Sequence, residues 1–367
     1  MAQLSRPFVA ADRFLPTFLD AVKAQAVRAP AMPPGFSATI GQLQTFTLPL
    51  KVTGSLSDRA MAEAMMSAWQ RDGILQISKT RLQQRLYQDA LASSRHFFDR
   101  PLAEKQACVD SRSYSGYVAS GEEITDGIRD YSEIFTVTKD LPLSDERVLD
   151  GWPCHGPCPW PNSDFKEVIS RYMKELGACG ERLLQLIELG LDVPAGSLTR
   201  YTTDGWHHAR GKSGRGIGSH TDYGLLVMGS QDEVGGLFVR PPREGETFMN
   251  WQKSAAGAME DDDGWMYVPP VNGTITVFPG DIMQYLTNHV LRSTPHKVGL
   301  NTRQRFSFAY FHEPNFSSTV KPLSGYDVNQ EPVDGINYGT HFTKMCLRNY
   351  PDRITTRRLL ERSQFQC

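Results

Sequence analysis

Apolar residues recur at helical spacing in the first half of the chain. The clearest stretch, from about Ser163 to Leu189, carries an apolar residue every three or four positions, which predicts a long helix with one buried face. The members of that face are Phe165, Val168, Ile169, Tyr172, Met173, Leu176, Leu183, Leu184 and Ile187. A second helix is predicted over Ser57–Gln70, with Ser57 as its N-cap, and a third over Thr80–Arg100. The run Gly73–Ile77 between them predicts a strand.

The pattern changes after about Leu198 to short apolar runs separated by glycine and proline. These runs are Tyr223–Met228, Gly236–Arg240, Trp265–Val268, Thr274–Phe278, Ile282–Leu286 and Arg305–Phe311. Many short strands with turn residues between them are typical of β-sandwiches and barrels. Because the helices come first in the sequence, we predict a mainly β fold with flanking helices packed on its outside.

Composition indicates an ordinary globular protein. Apolar residues make up 40% of the 367 positions and charged residues 22%, and the net charge is −2. This charge provides no basic face for nucleic acid, and no apolar run approaches the ~20 residues that span a membrane. The first residues also lack the pattern of a secretory signal. We therefore expect a cytoplasmic monomer that has neither nucleic acid nor a membrane as a partner.

The 6 cysteines do not form the pattern of a disulfide framework in a chain of this length. Cys154 and Cys158, with His155 between them, could instead belong to a zinc site. However, no second Cys/His pair follows at zinc-finger spacing, and prolines crowd the segment. We therefore favour a structural loop at this place and reduced thiols throughout.

Three residues in the second half form a candidate metal site. His220 and Asp222 are separated by one residue, so their side chains would point the same way from an extended strand. His296, on a later strand, would complete a set of two histidines and one carboxylate. Such a facial triad holds Fe(II) and leaves three positions open for O2 and a chelating cosubstrate. Taken singly, the pair could be a hydrogen-bonded strand end and His296 part of a solvated loop.

Arg305 and Ser307 follow His296 at the start of a predicted strand. Alternation places both on one face, so guanidinium and hydroxyl can bind one carboxylate together. A His-x-Asp pair followed by a distant His and then by Arg-x-Ser is a far more specific signal than the pair alone. We interpret the other histidines near these motifs as structural, namely His207, His208, His289 and His312.

Several further stretches resemble one known family. They are Leu43–Phe46, Tyr114–Glu123, Gly151–Pro157, Asp204–His208, Arg215–Gly218, Tyr310–Phe316 and Tyr350–Thr356. Together with the triad, they make the chain similar to the Fe(II)/2-oxoglutarate-dependent oxygenases related to isopenicillin N synthase, and within that family to its microbial ethylene-forming branch. The resemblance runs from about Gln42 to Arg357. It implies a double-stranded β-helix (jelly-roll) core.

The resemblance also suggests how the chain is divided. Residues 1–41 precede it and are expected to be an added arm of unknown role, in which several prolines break any helix. Residues 42–190 would form a helical N-terminal part with strands. Residues 191–367 would form the jelly-roll core with a C-terminal helix, so that 42–367 make one integrated catalytic domain.

The resemblance implies Fe(II) as the metal and 2-oxoglutarate as the cosubstrate. Arg305 would pair with the far carboxylate of 2-oxoglutarate, because a planar guanidinium matches carboxylate geometry. Ser307 would assist it, at a position where the ethylene-forming relatives are expected to carry a small apolar residue. Arg210 matches an arginine near the cosubstrate, although a structural salt bridge is an alternative. Phe278 and Phe311 match aromatic walls of the pocket, or simply pack in the core.

The connection after Arg210 departs from the family. Only Gly211–Gly214 separates Arg210 from Arg215, where the relatives carry a longer segment. A Gly-x-x-Gly sequence can turn the chain, but it cannot supply a missing strand. We therefore expect that the cosubstrate pocket is rebuilt or damaged here, or that the sequence has lost a segment.

L-arginine is the second substrate that the resemblance implies. Glu123 matches the carboxylate that meets the guanidinium, with Thr125 beside it, although a solvated loop acid is the alternative. Arg348 matches the position that meets the substrate's own charged end, and Tyr223 lines the site. Asn349 stands where a cysteine is expected, a modest change at the edge of the pocket.

Taken together, these residues imply an Fe(II)-dependent dioxygenase that converts 2-oxoglutarate and O2 to ethylene and CO2. A coupled reaction would hydroxylate L-arginine and yield succinate, guanidine and pyrroline-5-carboxylate. Two alternatives stay open: a 2-oxoglutarate-dependent hydroxylase of another small molecule, and a metal-binding relative without turnover, which the shortened connection favours. An aminocyclopropane-carboxylate oxidase of the plant type fits least, because Glu123 and Arg348 follow the other pattern.

Overall fold

The computed structural model describes most of the chain. The described residues are 38–125, 128–214, 216–246, 263–299, 303–327 and 334–362. Of the predicted N-terminal arm, residues 1–37 therefore lie outside the described part. Residues Thr39 and Ile40 form a strand that pairs in parallel with Met266 and Tyr267. The last residues assigned to the arm thus belong to a sheet.

Short strands and a few long helices make up the described chain. The helices are α1 Leu56–Asp72, α2 Arg81–Phe98, α3 Leu102–Gln106, α4 Glu146–Leu149, α5 Ser163–Gly190, α6 Asp281–Leu286, α7 Tyr338–Asn349 and α8 Ile354–Glu361. The strands are β1 Thr39–Ile40, β2 Thr45–Phe46, β3 Leu75–Ser78, β4 Gly116–Val118, β5 Ile124–Thr125, β6 Ile128–Arg129, β7 Ser132–Val137, β8 His208–Gly214, β9 Ile217–His220, β10 Leu226–Gln231, β11 Leu237–Val239, β12 Met266–Val268, β13 Thr274–Pro279, β14 His296–Val298, β15 Arg305–His312, β16 Thr319–Val320 and β17 Ile336–Asn337.

Two sheets form the centre of the fold. The larger has the strand order β2-β3-β13-β10-β15-β8-β7-β4, and the smaller has the order β1-β12-β11-β14-β9. Residues from both sheets line one cavity, so the sheets face each other across it. Apart from the parallel pairs that involve β1 and β2, neighbouring strands in both sheets run antiparallel. This is the arrangement expected of a jelly-roll core.

The helices pack against the larger sheet through the faces that their spacing predicts. Along α5 most members of the predicted stripe are buried, and only Val168 and Met173 are partly exposed. The ring of Tyr172 contacts Phe308 of β15 edge-on, with a centroid distance of 5.2 Å. In α1 the indole Nε1–H of Trp69 donates to a carbonyl of β13 at 3.0 Å. The helices therefore cover the outer face of the sheet, as predicted.

The first helix begins two residues earlier than predicted. Its N-cap is Ser55, whose side chain accepts a hydrogen bond from the backbone N–H of Asp58. The carboxylate of Asp58 accepts one from the N–H of Ser55 in return, at 3.2 Å. This reciprocal capping box satisfies two N–H groups at once. Ser57 lies inside the first turn, so its prediction as the N-cap was wrong.

The run Ile282–Leu286 is a helix, not the predicted strand. A short apolar run fits either element, and here the surroundings decide. The backbone N–H groups of Asp281 and Ile282 donate to carbonyls of Asp222 and Gly224, at 2.8 and 3.0 Å. These bonds satisfy free donors at the start of α6, because the first N–H groups of a helix lack partners within it. The same bonds hold the backbone that carries Asp222.

Gly211–Gly214 do not turn the chain. They continue β8, which pairs with β15 on one side and with β7 on the other. Gly214 is needed for strand packing, since a Cβ there would lie 2.6 Å from the Cα of Ser132. The predicted turn was therefore wrong, and the shortened segment still supplies a complete central strand.

The described cysteines are free and buried. The Sγ atom of Cys154 lies 3.5 Å from the hydroxyl of Thr343. The ring of His155 packs on Trp206, with a centroid distance of 4.4 Å, and its Nδ1–H donates to the carbonyl of Pro153. Among the described residues, no group that could hold a metal includes these side chains. The segment is a structural loop, as favoured from the sequence.

No helix in the described ranges is both long and apolar enough to cross a bilayer.

Gly224 allows a carboxylate to sit against the backbone that follows Asp222. A Cβ at this position would overlap the side chain of Glu313. The Oε2 atom of Glu313 accepts a hydrogen bond from the N–H of Leu225 at 2.9 Å, and the side chain is fully buried. The absence of a side chain at Gly224 therefore lets Glu313 fix the start of β10.

We expect Gly224→Ala to destabilise the protein by about 1–3 kcal/mol, the usual cost of overpacking a core. Because Glu313 must move, the substitution should also weaken metal binding at Asp222. Denaturant unfolding and a metal titration measure the two effects. Gly218→Ala is the matched control, since its added Cβ meets no atom within 4 Å. Equal stability of Gly224→Ala and wild type would contradict this account of Glu313.

Candidate active site

The predicted triad converges on one point between two strands. His220 ends β9 and His296 begins β14, and the two residues are directly paired across these antiparallel strands. Asp222 lies just beyond the end of β9, so it is in a loop rather than in the strand as predicted. Its two carboxylate oxygens lie 3.8 Å from Nε2 of His220 and 3.4 Å from Nε2 of His296. All three ligand atoms are within 4.8 Å of one another, close enough for one metal ion.

Hydrogen bonds orient both imidazoles for metal binding. Nδ1 of His220 lies 2.8 Å from the carbonyl of Gly218, and Nδ1 of His296 lies 3.0 Å from the carbonyl of Thr294. A carbonyl only accepts, so each Nδ1 carries the proton and each Nε2 keeps a lone pair. Burial, and then His296, lower the pKa of His220 to about 4, which keeps it neutral near pH 7. The donor set fits a divalent metal such as Fe(II).

A second group with metal-like spacing consists of Glu181, His207 and His312. Nδ1 of His207 accepts a hydrogen bond from the N–H of Glu313 at 2.9 Å, so in the neutral ring Nε2 carries the proton. That nitrogen then has no lone pair for a metal. Nε2–H of His312 donates to Glu181 at 2.9 Å. The rings of His207 and His312 stack, with a centroid distance of 4.2 Å. This geometry supports the structural interpretation of His207 and His312.

A cavity of about 90 Å³ lies next to the triad. All five residues predicted to contact the cosubstrate line it, namely Arg210, Phe278, Arg305, Ser307 and Phe311. They come from strands β8, β13 and β15 of the larger sheet. Phe278 lies with its ring centroid 4.7 Å from that of His296, and so connects the aromatic wall to the metal site.

Arg305 and Ser307 point from β15 into this cavity. The Nη1–H of Arg305 donates to Oγ of Ser307 at 2.9 Å, so the predicted shared face is present. Its Nε–H donates to the carbonyl of Gly235. The guanidinium is buried, and burial lowers its pKa while Asp232 opposes that shift. Further N–H groups of the guanidinium are available to a carboxylate in the cavity.

Glu123 is a buried residue and not a solvated loop acid, since only 3% of it is exposed. Its Oε1 accepts hydrogen bonds from Nη2 of Arg210 and from the hydroxyl of Tyr350, the latter at 2.7 Å. Burial alone would raise the pKa of Glu123, but the charges of Arg210 and Lys212 outweigh it and lower the pKa to about 2. Arg210 thus forms the salt bridge considered as an alternative, and it lines the cavity as well.

Glu123 retains one unused oxygen. Its Oε2 is buried and has no hydrogen-bond partner among the described residues. A buried carboxylate oxygen without a donor is costly, because it has lost its water and gained nothing in exchange. The atom is therefore an available acceptor for a cationic donor, although Glu123 is not itself among the residues that line the cavity and adjoins it through Arg210.

The other residues predicted for the second substrate are less well placed. The hydroxyl of Thr125 donates to Asp130 at 2.7 Å, so its proton is already used. Tyr223 follows Asp222 directly in the sequence, and its ring packs against that of His341 with a centroid distance of 5.8 Å. Arg348 is exposed on α7, with its Nε 3.4 Å from Oδ1 of Asn349. Arg348 is not among the residues that line the cavity.

Two residues of the site, Lys212 and Tyr350, were not predicted from the sequence. Lys212 lines the cavity two positions after Arg210 on the same strand. The assignment of Gly211–Gly214 to a turn concealed it, whereas alternation along a strand would have placed Arg210 and Lys212 on one face. Tyr350, the second donor to Glu123, lies far away in the sequence. No spacing pattern could have connected the two.

We expect His220→Ala, Asp222→Ala and His296→Ala each to abolish specific binding of a divalent metal, because a three-ligand site loses one ligand. Calorimetric titration of Mn(II) under anaerobic conditions measures this directly. His207→Ala, in the other histidine cluster, is the matched control and should still bind one ion. A triad variant with wild-type affinity would mean that the metal site lies elsewhere.

Two family models match the chain. The N-terminal model of the non-haem dioxygenases in morphine synthesis matches residues 47–163, and that of the 2OG-Fe(II) oxygenase superfamily matches residues 198–314. A 2-oxoglutarate-dependent ethylene/succinate-forming enzyme of Ralstonia nicotianae is 50% identical, over 87% of this chain and 95% of its own length. A homoarginine-6-hydroxylase of Arabidopsis thaliana is 28% identical, over 63% of this chain and 69% of its own.

Solved structures confirm the jelly-roll fold. A full-length Neurospora crassa protein, solved in complex with α-KG, has a TM-score of 0.65 at 19% identity, over 84% of this chain and 98% of its own. A 2OG-Fe(II) oxygenase family protein of Caulobacter crescentus has a TM-score of 0.66 at 20% identity, over 84% and 99%. These structures support the fold, whereas the superfamily match and the Ralstonia nicotianae relative identify Fe(II) and 2-oxoglutarate as the metal and the cosubstrate. The chain belongs to the 2OG-Fe(II) oxygenase superfamily and is a 2-oxoglutarate-dependent dioxygenase.

Proposed function

We propose that this dioxygenase converts 2-oxoglutarate and O2 to ethylene and CO2. In the coupled reaction it hydroxylates L-arginine and yields succinate, guanidine and pyrroline-5-carboxylate. The observation that carries the proposal is the 50% identity, over 95% of its length, to the Ralstonia nicotianae enzyme, whose name states that it forms ethylene and succinate. We further propose residues 42–367 as the catalytic domain and residues 1–41 as an arm of unknown role, whose residues Thr39 and Ile40 add a strand to the smaller sheet of that domain.

In this proposal the triad binds the metal and the cavity binds the cosubstrate. Fe(II), when bound, would supply the redox chemistry with O2, and the 2-oxo acid would be its chelating ligand. His220, Asp222 and His296 would hold the metal beside the cavity, whose lining they share. Arg305, with Ser307 beside it, binds the far carboxylate of 2-oxoglutarate and fixes the length of diacid that reaches the metal.

The aromatic walls exclude water from the reacting groups. Phe278 packs against the ring of His296, and Phe311 stacks on His208 with a centroid distance of 4.4 Å. Both rings are almost fully buried. A dry wall strengthens each charged interaction inside the cavity, since screening by water is lost.

Glu123 supports L-arginine as the second substrate. The carboxylate is ionised, and its Oε2 lacks a donor among the described residues. It already binds one guanidinium, that of Arg210, through Oε1. A carboxylate has about four acceptor sites, so the guanidinium of the substrate could bind through Oε2 without displacing Arg210. Arg348 would have to turn inward from its exposed position to meet the charged end of the substrate.

One observation favours a second candidate, the hydroxylation of a different small molecule. The homoarginine-6-hydroxylase of Arabidopsis thaliana is 28% identical, and its substrate also carries a guanidinium. Because Arg348 is exposed and does not line the cavity, it does not determine which group the substrate carries at its other end. By contrast, the shortened connection no longer favours a relative without turnover, because Gly211–Gly214 form a complete strand.

The products decide between the two candidates. With Fe(II), 2-oxoglutarate and L-arginine in air, we expect ethylene in the headspace by gas chromatography and succinate in solution. A reaction without L-arginine tests whether the amino acid is required, and one with a chelator gives the background. Succinate from an arginine analogue, together with no ethylene under any condition, would exclude the ethylene-forming proposal.

We expect Glu123→Gln to weaken binding of L-arginine by roughly 10-fold or more, because it removes the charge opposite the guanidinium while it preserves the shape. Titration of L-arginine into the anaerobic protein loaded with Mn(II) and 2-oxoglutarate measures the change. Glu122→Gln is the neighbouring control, since Glu122 pairs with Arg353 instead. If wild type binds L-arginine and Glu123→Gln binds it equally well, Glu123 does not meet the guanidinium.

A further inference from the structure

We infer that Lys212 is a second cosubstrate-binding cation, whose ammonium binds the carboxylate of the 2-oxo acid at its metal-chelating end. The inference deepens the proposed function, since it rests on the cosubstrate site formed by Arg305 and the triad. Lys212 lies within the segment that departs from the family, where the sequence predicted a rebuilt or damaged pocket or the loss of a segment.

The position of Lys212 follows from the strand register. Lys212 on β8 is directly opposite Ser307 on β15, and Arg210 is opposite Ala309. Directly opposed residues of antiparallel strands point to the same face. Lys212 therefore lines the same cavity as Ser307, one step along the sheet from the guanidinium of Arg305.

The charge of Lys212 is not neutralised by a direct contact. Arg210 has its carboxylate partner in Glu123, but Lys212 makes no hydrogen bond or ion pair with any residue of the described ranges. Burial, and then the charge of Arg210, lower the pKa of Lys212 to about 8, so the ammonium form still predominates at pH 7. A half-buried charge without a partner is unfavourable, and an anion in the cavity relieves it.

Arg305 and Lys212 occupy different positions along the strand direction that leads from the end of the sheet to the metal site. Along β15, the cavity-facing residues run from Arg305 through Ser307 to Phe311, and Phe311 and Phe278 both lie opposite Val227 of β10. Phe278 in turn contacts His296, so this direction leads to the triad. The backbone of Lys212 is at the level of Ser307, so its Cα lies about 7 Å further along the strands toward the metal than that of Arg305, at ~3.4 Å per residue.

The electrostatic surroundings agree with this direction. The acidic residues that act on the ammonium of Lys212 are Glu123, Asp130 and the metal ligand Asp222. The acidic residue that acts on Arg305 is a different one, Asp232, which follows β10 and accepts a hydrogen bond from the N–H of Phe306. Arg305 is thus placed for the distal carboxylate of a dicarboxylic 2-oxo acid, and Lys212 for the carboxylate that chelates the metal.

Two cosubstrates that share only the chelating end provide the test. 2-Oxoglutarate has both carboxylates, whereas 2-oxovalerate has the 2-oxo-carboxylate and no distal charge. Each is titrated calorimetrically into the anaerobic Mn(II)-loaded full-length protein. For Lys212→Met we expect a loss of about 10-fold or more in affinity for both acids, as for a charged hydrogen bond. Lys212→Arg, which keeps the charge, should recover most of the affinity.

The comparison variants separate the two ends of the cosubstrate. Arg305→Met should weaken binding of 2-oxoglutarate and leave 2-oxovalerate nearly unchanged. Lys79→Met is the matched lysine control, because Lys79 bonds the carbonyl of Thr274 beside β3 and does not line the cavity. Both acids should bind it as they bind wild type. A Mn(II) titration of each variant establishes that the metal site is intact.

Several results would overturn the inference. Equal binding of both acids to Lys212→Met and wild type would show that Lys212 contacts neither carboxylate. A loss for 2-oxoglutarate alone would assign Lys212 to the distal carboxylate, and a loss for L-arginine alone would assign it to the second substrate. If wild type loaded with metal binds no 2-oxoglutarate, the proposed cosubstrate site itself fails, and the inference fails with it.

Discussion

The direct pairing of His220 with His296 across β9 and β14 is the contact on which the site depends. It brings two imidazoles from distant parts of the sequence side by side, with Nδ1–H of each bonded to a backbone carbonyl. Asp222 lies in a loop, and the backbone of this loop is fixed by hydrogen bonds from the first N–H groups of α6. These bonds place its carboxylate beside the two imidazoles. A shift in register at β14 would separate the ligands, so sheet geometry and metal affinity are coupled.

The cavity shows how the same sheet distributes charge. Strand β15 presents Arg305 and Ser307, and its neighbour β8 presents Arg210 and Lys212. Three cations on paired strands would repel one another without compensation. Glu123 neutralises Arg210, whereas Arg305 and Lys212 are left to meet anions from solution. A dicarboxylic 2-oxo acid offers one carboxylate to each, which matches the cosubstrate of the family.

Much of the site could be predicted from the sequence, because its chemistry lies in short spacings. His-x-Asp specifies two of the ligands, although Asp222 lies beyond the strand, Arg-x-Ser specifies two residues that share a face, and the long stripe of α5 specifies its buried side. The errors arose where tertiary contacts decide. The run Ile282–Leu286 is helical because the first N–H groups of α6, those of Asp281 and Ile282, donate to the carbonyls of Asp222 and Gly224. Gly211–Gly214 stay extended because β7 and β15 pair with both edges of β8. Local propensity contains neither fact.

The site is built from interior strands and from an edge strand, and the two carry different functional groups. β8 and β15 lie inside the larger sheet, where neighbours on both sides hold the cations in fixed positions. β9 is the last strand of the smaller sheet, so His220 has a hydrogen-bonded strand on one side only. The cationic side chains are thus carried by strands that are paired on both sides, whereas one of the proposed metal ligands, His220, is carried by an edge strand. Since a metal ion itself links His220, Asp222 and His296, binding it supplies the constraint that the edge strand lacks.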